Sequence, residues 1–107
     1  LRFSTLPTGD LPSDLKNPNH AYLDFNQLQF PLVLRRWKEG DRFQPFGMQG
    51  QKKLSDYWND LKLDPFEKAR QMVLCSGEEI AWVIGHRIGE EFKCSNSTKT
   101  LYFVEIL

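Results

Sequence analysis

The chain has 107 residues, 40% apolar and 13% aromatic, with 14 basic and 14 acidic side chains and a net charge of zero. One domain of this length buries roughly 65% of its unfolded surface, enough to fold without a disulfide or a structural metal. No apolar run approaches the ~18 residues of a spanning helix, and no secretory signal is visible. Strand-like sequence begins at Leu1 without an initiator Met. The chain is therefore expected to be a domain cut from a longer protein.

Taken in order, residues 1–6 (LRFSTL) alternate and predict an edge strand. Residues 7–19 hold three prolines and a glycine and predict a loop. Residues 20–24 (HAYLD) read as a strand, 25–30 as a turn-like connection, and 32–37 (LVLRRW) as a strand. In that strand Leu32, Leu34 and Arg36 share one side and Val33, Arg35 and Trp37 the other. Glu39-Gly40-Asp41 predicts a turn, and 42–48 an irregular extended segment around Pro45 and Gly47.

The clearest helix is predicted over 53–61, with Lys52 and Lys53 at its opening. Leu54, Tyr57, Trp58 and Leu61 recur at helical spacing and should face the core. A second short helix is predicted from Asp64 as N-cap, with Pro65 in the first position and Glu67 completing the cap, running to about Arg70. Residues 72–75 and 80–84 read as a hairpin around Ser76-Gly77-Glu78-Glu79. Ile80, Trp82 and Ile84 are expected on one face and Ala81 and Val83 on the other. Both faces are apolar, so this strand is expected to be central. Phe92 and Lys93 are read as the start of another strand, and 101–106 (LYFVEI) as the last one. The sum is an α+β domain: a mostly antiparallel β-sandwich-like core with two short helices inserted mid-chain.

Charge is less even than the total suggests. Between Arg35 and Lys53 stand Arg35, Arg36, Lys38, Arg42, Lys52 and Lys53 against only Glu39 and Asp41, so the segment is +4 and the remainder −4. Segregation of this kind points to a polyanionic partner. Lysines in a first helical turn oppose the helix dipole at a cost of about 0.3–1 kcal/mol each, which an anion at the helix start would offset. Two solvated lysines ahead of the first turn would explain the same residues. Arg35 and Arg36 are strand neighbours and point to opposite faces, so at most one joins a flat patch. Asp41 and Glu39 are the local partners for an arginine.

Other chemistry does not assemble. Cys75 and Cys94 have no C-x-x-C context and read as reduced thiols, Cys75 within a strand. His20 and His86 are isolated, so no metal site is expected. Asp56 and Asp60 share a helix face but lack a third ligand and read as a solvated stripe. Tyr57, Trp58 and Trp82 fall on core faces, whereas Phe43 and Phe46, among polar and basic residues, could be core or base-stacking rings. Neither a Ser–His–Asp pattern nor a phosphate-binding glycine loop is present. No catalytic residues are assigned.

With these residues placed, LRRW (34–37), GDRF (40–43), Pro45, Gly47-Met48, KKLSD (52–56), Ser76-Gly77, Trp82-Val83, Gly85, Arg87-Ile88 and Phe92-Lys93 form a set in fixed order over residues 31–93. That set resembles the C-terminal domain of the tRNA(Ile)-lysidine synthetases. The chain departs from the family pattern at Asp64-Pro65, where Pro-Arg is usual, and at Glu91, where a base is usual. The resemblance implies a fold shared with a domain of the phenylalanyl-tRNA synthetase β-subunit. It also implies a cytoplasmic parent enzyme that uses ATP, with magnesium, to join lysine to the wobble cytidine of an isoleucine tRNA bearing a CAU anticodon. That chemistry belongs to a separate catalytic domain whose S-G-G-x-D-S loop is absent here, so no cofactor is implied for this domain. The implied partners are the tRNA, the catalytic domain of the same chain, and a second copy through the parent protein. Residues 1–30 would be lead-in strands and a Pro-rich loop, and 31–107 the tRNA-binding domain, within one compact body. On this reading Arg35, Arg36, Lys38, Arg42, Lys52, Lys53, Arg87 and Lys93 meet tRNA. The alternatives are a structural module docked on its own parent chain and, with no catalytic motif to support it, an independent small enzyme.

Overall fold

The computed structural model describes residues 1–7 and 17–107, and the expected loop over 7–19 lies largely outside them. Strand β1 (Arg2–Pro7) and strand β2 (His20–Asp24) pair antiparallel with the two edges of the last strand, β8 (Thr100–Glu105). A second sheet is built from β3 (Leu32–Arg36), β6 (Met72–Ser76) and β7 (Glu79–Val83), with β6 in the middle. Between β3 and β6 the chain forms a short ribbon, β4 (Arg42–Phe43) with β5 (Lys52–Lys53), then helices α1 (Leu54–Leu61) and α2 (Pro65–Ala69).

These elements stack as three layers. Ala21, Leu23 and Val104 of the first sheet meet Leu74, Ala81 and Trp82 of the second in one apolar cluster. Val73, Cys75, Ile80 and Val83, on the other face of the second sheet, are covered by Phe43 and by Leu54, Tyr57 and Trp58 of α1. Within the second sheet β6 and β7 are buried on both sides, which is why they read as continuous apolar runs, whereas β3 is largely exposed.

The central strand of that sheet is β6, and β7 lies at the edge. The expectation of a central β7 came from its two apolar faces, but that edge is covered by the following turn. Gly89 N–H donates to the Ala81 carbonyl at 2.9 Å and Val83 N–H to the Arg87 carbonyl at 3.0 Å. A Cβ at position 89 would lie 2.7 Å from the Ile80 carbonyl oxygen, so only glycine lets the turn approach so closely. The expected alternation in β7 also breaks. The register passes from Leu74↔Trp82 to Cys75↔Ile80, leaving Ala81 as an extra residue. Ala81 and Trp82 therefore enter the cluster shared with the first sheet, while Ile80 and Val83 face α1. At the hairpin tip Gly77, φ +59°, takes the first position of a two-residue loop.

The helix near residue 53 starts later than its periodicity suggested. Lys52 and Lys53 are extended and pair with Phe43 and Arg42, and Lys53 serves as N-cap without a side-chain capping bond. Leu54, Tyr57 and Trp58 are buried as expected, but Leu61 is 39% exposed and ends the helix at the surface. Helix α2 follows its sequence signals: Asp64 Oδ1 accepts from Glu67 N–H at 2.8 Å, ahead of Pro65. Residues 90–92 form a 3₁₀ turn rather than the start of a strand, held by Phe92 N–H to the Gly89 carbonyl at 3.0 Å.

One polar joint fixes the ribbon to the second sheet. Arg35 on β3 grips Asp41 with both guanidinium arms, Nη1 to Oδ2 at 2.9 Å and Nη2 to Oδ1 at 3.0 Å. Lys38 N–H donates to the same carboxylate at 2.8 Å, and the Asp41 carbonyl accepts the Leu54 N–H at 2.9 Å. Burial would push the Asp41 carboxyl upward, but the bonds from Arg35 and the Lys38 N–H outweigh it and leave its pKa below the usual value. The bond to Asp41 likewise raises Arg35 against its own burial.

Asp41→Asn keeps the shape and removes the charge, and is expected to cost about 1.5–3 kcal/mol at pH 7 in denaturant titration. A carboxylate with a depressed folded pKa contributes stability above its unfolded value of about 3.9 and loses it as pH falls through the folded value. The gap between parent and variant should therefore be constant from about pH 7 to 5 and close at lower pH. Leu54→Ala should cost about 2–5 kcal/mol by emptying a core site, whereas Leu61→Ala at the helix end should stay within about 0.5 kcal/mol.

Candidate nucleic-acid interface

The ribbon places two cations directly opposite each other. Arg42 pairs in register with Lys53, so their side chains leave the ribbon on the same side, and both are exposed. Neither side chain makes an ion pair or hydrogen bond among the described residues. Lys38 is exposed in the turn closed by the Asp41 N–H bond to the Lys38 carbonyl at 3.1 Å, next to Arg42 in the chain. Arg42, Lys53 and Lys38 form an exposed basic edge, in which Lys38 also lies within electrostatic reach of the Asp41 carboxylate. Asp56 occupies the first turn of α1 and already complements the dipole there.

The remaining predicted cations are distributed differently. Arg35 is committed to Asp41. Lys52, half-buried, pairs with Asp60 across the ribbon and α1, so one member of the expected acidic stripe is a strut. Lys93 pairs with Glu90 within its own turn, and both that pair and the Gly47 N–H bond hold the Glu90 carboxyl below its ordinary pKa. Arg36 is exposed on the opposite face of β3 from Arg35, in register with Met72. Arg87 is exposed, with Nη1 on the Phe46 carbonyl at 3.3 Å.

Arg87 also lines a concavity of about 540 Å³. Phe46 and Gly47 form one wall, His86 and Ile88 flank Arg87 on the next, and His20 of the first sheet, with Asn17 just before that strand, lines the third. Backbone bonds hold the first two walls together: Phe46 N–H to the Ile88 carbonyl at 2.9 Å and Glu90 N–H to the Gln44 carbonyl at 2.7 Å. Gly47 N–H donates to Glu90 Oε1 at 2.9 Å. The His86 ring lies 6.2 Å from Tyr57 and 5.9 Å from Trp58, centroid to centroid, and burial lowers its pKa, so it is neutral at pH 7. Sequence reasoning set both histidines aside as isolated. No spacing joins positions 20, 46 and 86, and only the sheet packing brings them together.

Of the aromatic residues left open, Phe43 is core and Phe46 is half-buried in this concavity. Tyr57, Trp58 and Trp82 are core as expected. Trp37 donates its Nε1–H to the Lys68 carbonyl at 2.7 Å, joining β3 to α2. Cys75 is buried in β6, and burial raises the Cys94 thiol to about 11, so both are unreactive thiols rather than nucleophiles.

Comparison with known proteins agrees with the resemblance drawn from the motifs. The family model described as TilS substrate C-terminal domain matches residues 32–105. A tRNA(Ile)-lysidine synthase of Parabacteroides distasonis is 52% identical over 100 residues, covering 94% of this chain and 23% of that protein. A tRNA(Ile)-lysidine synthase of Bacteroides thetaiotaomicron is 44% identical over 87 residues, covering 81% of this chain and 20% of that protein. The chain thus spans about a fifth to a quarter of the length of these curated relatives. Among solved structures, the crystal structure of a TILS C-terminal domain covers 96% of this chain and 80% of its own, with a TM-score of 0.79 at 19% identity. An N-terminal fragment of the phenylalanyl-tRNA synthetase β-subunit from Pyrococcus horikoshii covers 78% of this chain and 26% of its own, with a TM-score of 0.64 at 15% identity. The two structures share the fold of antiparallel sheets with inserted helices. The family match runs from the first residue of β3 to the last of β8, and the chain belongs to the family of tRNA(Ile)-lysidine synthase C-terminal domains.

Proposed function

We propose that this chain is the non-catalytic, tRNA-binding domain of a larger ligase. In that ligase ATP, magnesium and lysine are handled by a separate catalytic domain, which acts on the wobble cytidine of an isoleucine tRNA. The observation that carries the reading is the Arg42–Lys53 pair. Like charges directly opposite on a ladder cost roughly 0.2–1 kcal/mol, and here no carboxylate among the described residues pairs with either. A backbone phosphate placed between the two turns that repulsion into attraction, and Lys38 in the adjacent turn extends the track. Contacts of this type read backbone and shape rather than base identity, as expected for an RNA duplex.

Arg36 and Arg87 lie away from the ribbon and would contact RNA as separate points. Arg35, Lys52 and Lys93 are assigned a positioning role, because each is already bound to a carboxylate. The second reading, docking on the parent chain, draws on a different surface. Phe3 and Leu6 on the edge strand β1 are exposed, with Phe30 nearby in the ring cluster around Tyr102.

Fluorescence anisotropy with isoleucine tRNA at two salt concentrations separates the readings. Arg42→Gln with Lys53→Gln should weaken binding and flatten the salt dependence by about one to two in log–log slope. Lys52→Gln, which removes only the strut to Asp60, should change affinity little and stability by less than about 1 kcal/mol. Equal losses from Lys52→Gln and the Arg42/Lys53 pair would refute the assignment, and no tRNA binding at low salt would favour docking.

A further inference from the structure

The concavity at Arg87 is walled in part by the loop that joins the two ribbon strands, and its chemistry differs from that of the Arg42–Lys53 pair. Its volume of about 540 Å³ lies within the roughly 300–1,000 Å³ typical of sites for small ligands. It is too confined for stacked bases and large enough for one nucleotide. Among the described residues that line it, Arg87 is the one permanent charge and none is a carboxylate. Of the described acids next to lining residues, Glu90 is spent on Gly47 N–H and Lys93, and Glu105, beside His20, on Arg2. Arg87 uses one guanidinium nitrogen on the Phe46 carbonyl, which leaves most of its donors for a phosphate. Phe46 adds a half-buried ring, and His86 adds an imidazole set into the wall by Tyr57 and Trp58. An aromatic face, a neutral donor–acceptor ring and a fixed guanidinium match a base, its polar edge and its phosphate.

We propose that this concavity is a binding site for a single unstacked nucleotide of RNA, with the base against Phe46, its edge at His86 and its phosphate on Arg87. The proposal rests on the tRNA-binding reading and deepens it: the ribbon holds duplex backbone, and the concavity accepts a nucleotide from an unpaired stretch of the same RNA. The Phe46 and Arg87 walls are joined by backbone hydrogen bonds, so the ring and the guanidinium are positioned before the ligand arrives.

The test is NMR of the aromatic and histidine side chains of this chain during titration with a single-stranded RNA tetranucleotide, and separately with a blunt RNA duplex. Saturable shifts at His86 and Phe46 with the tetranucleotide, absent with the duplex, are expected. Phe46→Leu, which keeps apolar volume without the ring, should weaken the tetranucleotide roughly five- to hundredfold. Arg87→Gln should weaken it further at low salt than at high salt. Shifts at the ribbon alone, or undiminished affinity in Phe46→Leu, would overturn the nucleotide site. Intact tRNA is titrated in parallel. Binding of tRNA without pocket shifts overturns this proposal and leaves the tRNA-binding reading standing, whereas pocket shifts with the tetranucleotide but no tRNA binding do the reverse.

Discussion

The Asp41 carboxylate is the joint on which the basic edge depends. It takes both arms of Arg35 and the Lys38 N–H, while the carbonyl of the same residue takes the first N–H of α1. One residue thereby fixes the exit of β3, the turn that follows and the start of the helix. Its side chain is only 8% exposed, so the charge is largely withdrawn from water, and the bidentate geometry compensates for that desolvation. Arg42 directly follows Asp41 and Lys53 directly precedes Leu54. Arg42 and Lys53 are therefore set by the same joint that orders the backbone on either side of them.

This arrangement separates cations that build from cations that remain available. Arg35, Lys52 and Lys93 each neutralise a carboxylate and stitch an element in place. Arg42, Lys53 and Lys38 are left with their charge in solvent, where long-range attraction to a polyanion is strongest and most sensitive to salt. A count of positive residues overstates the working surface, because two of the six cations of the basic segment, Arg35 and Lys52, are consumed internally. The zero net charge of the chain conceals this division and carries no information about the partner.

Much of the fold was legible because its strands are either fully apolar or cleanly bounded by turn residues. His20–Asp24 was placed to the residue, and Asp64-Pro65 announced α2 through capping chemistry alone. The errors have specific physical sources. Ile80 was assigned to the face of Trp82 because strand periodicity assumes an unbroken ladder, and the bulge at Ala81 inverts it. Lys52 and Lys53 were drawn into the helix because Leu54, Tyr57 and Trp58 set its phase without marking its start. The hydrogen bonds of β4, distant in sequence space from helical pattern, decide that boundary. At the interface, the Asp41–Arg35 alternative was visible from their proximity in the chain. The Lys52–Asp60 strut was not, since it requires the ribbon to fold back beside the helix.

The concavity at Arg87 is the clearest case of information that lives only in three dimensions. His20, Phe46 and His86 belong to different layers, and each is unremarkable in its own segment. They converge because the 44–48 loop cannot satisfy its backbone groups alone and is hydrogen-bonded to the turn that covers the edge of β7. That turn is needed to shield an apolar edge strand, and Gly89 is what lets it approach. The same solution that protects β7 therefore sets His86 and Arg87 against Phe46. A structural requirement of the sheet edge thus brings an aromatic ring, an imidazole and a guanidinium to one rim, and the proposed nucleotide site needs no further device to bring them together.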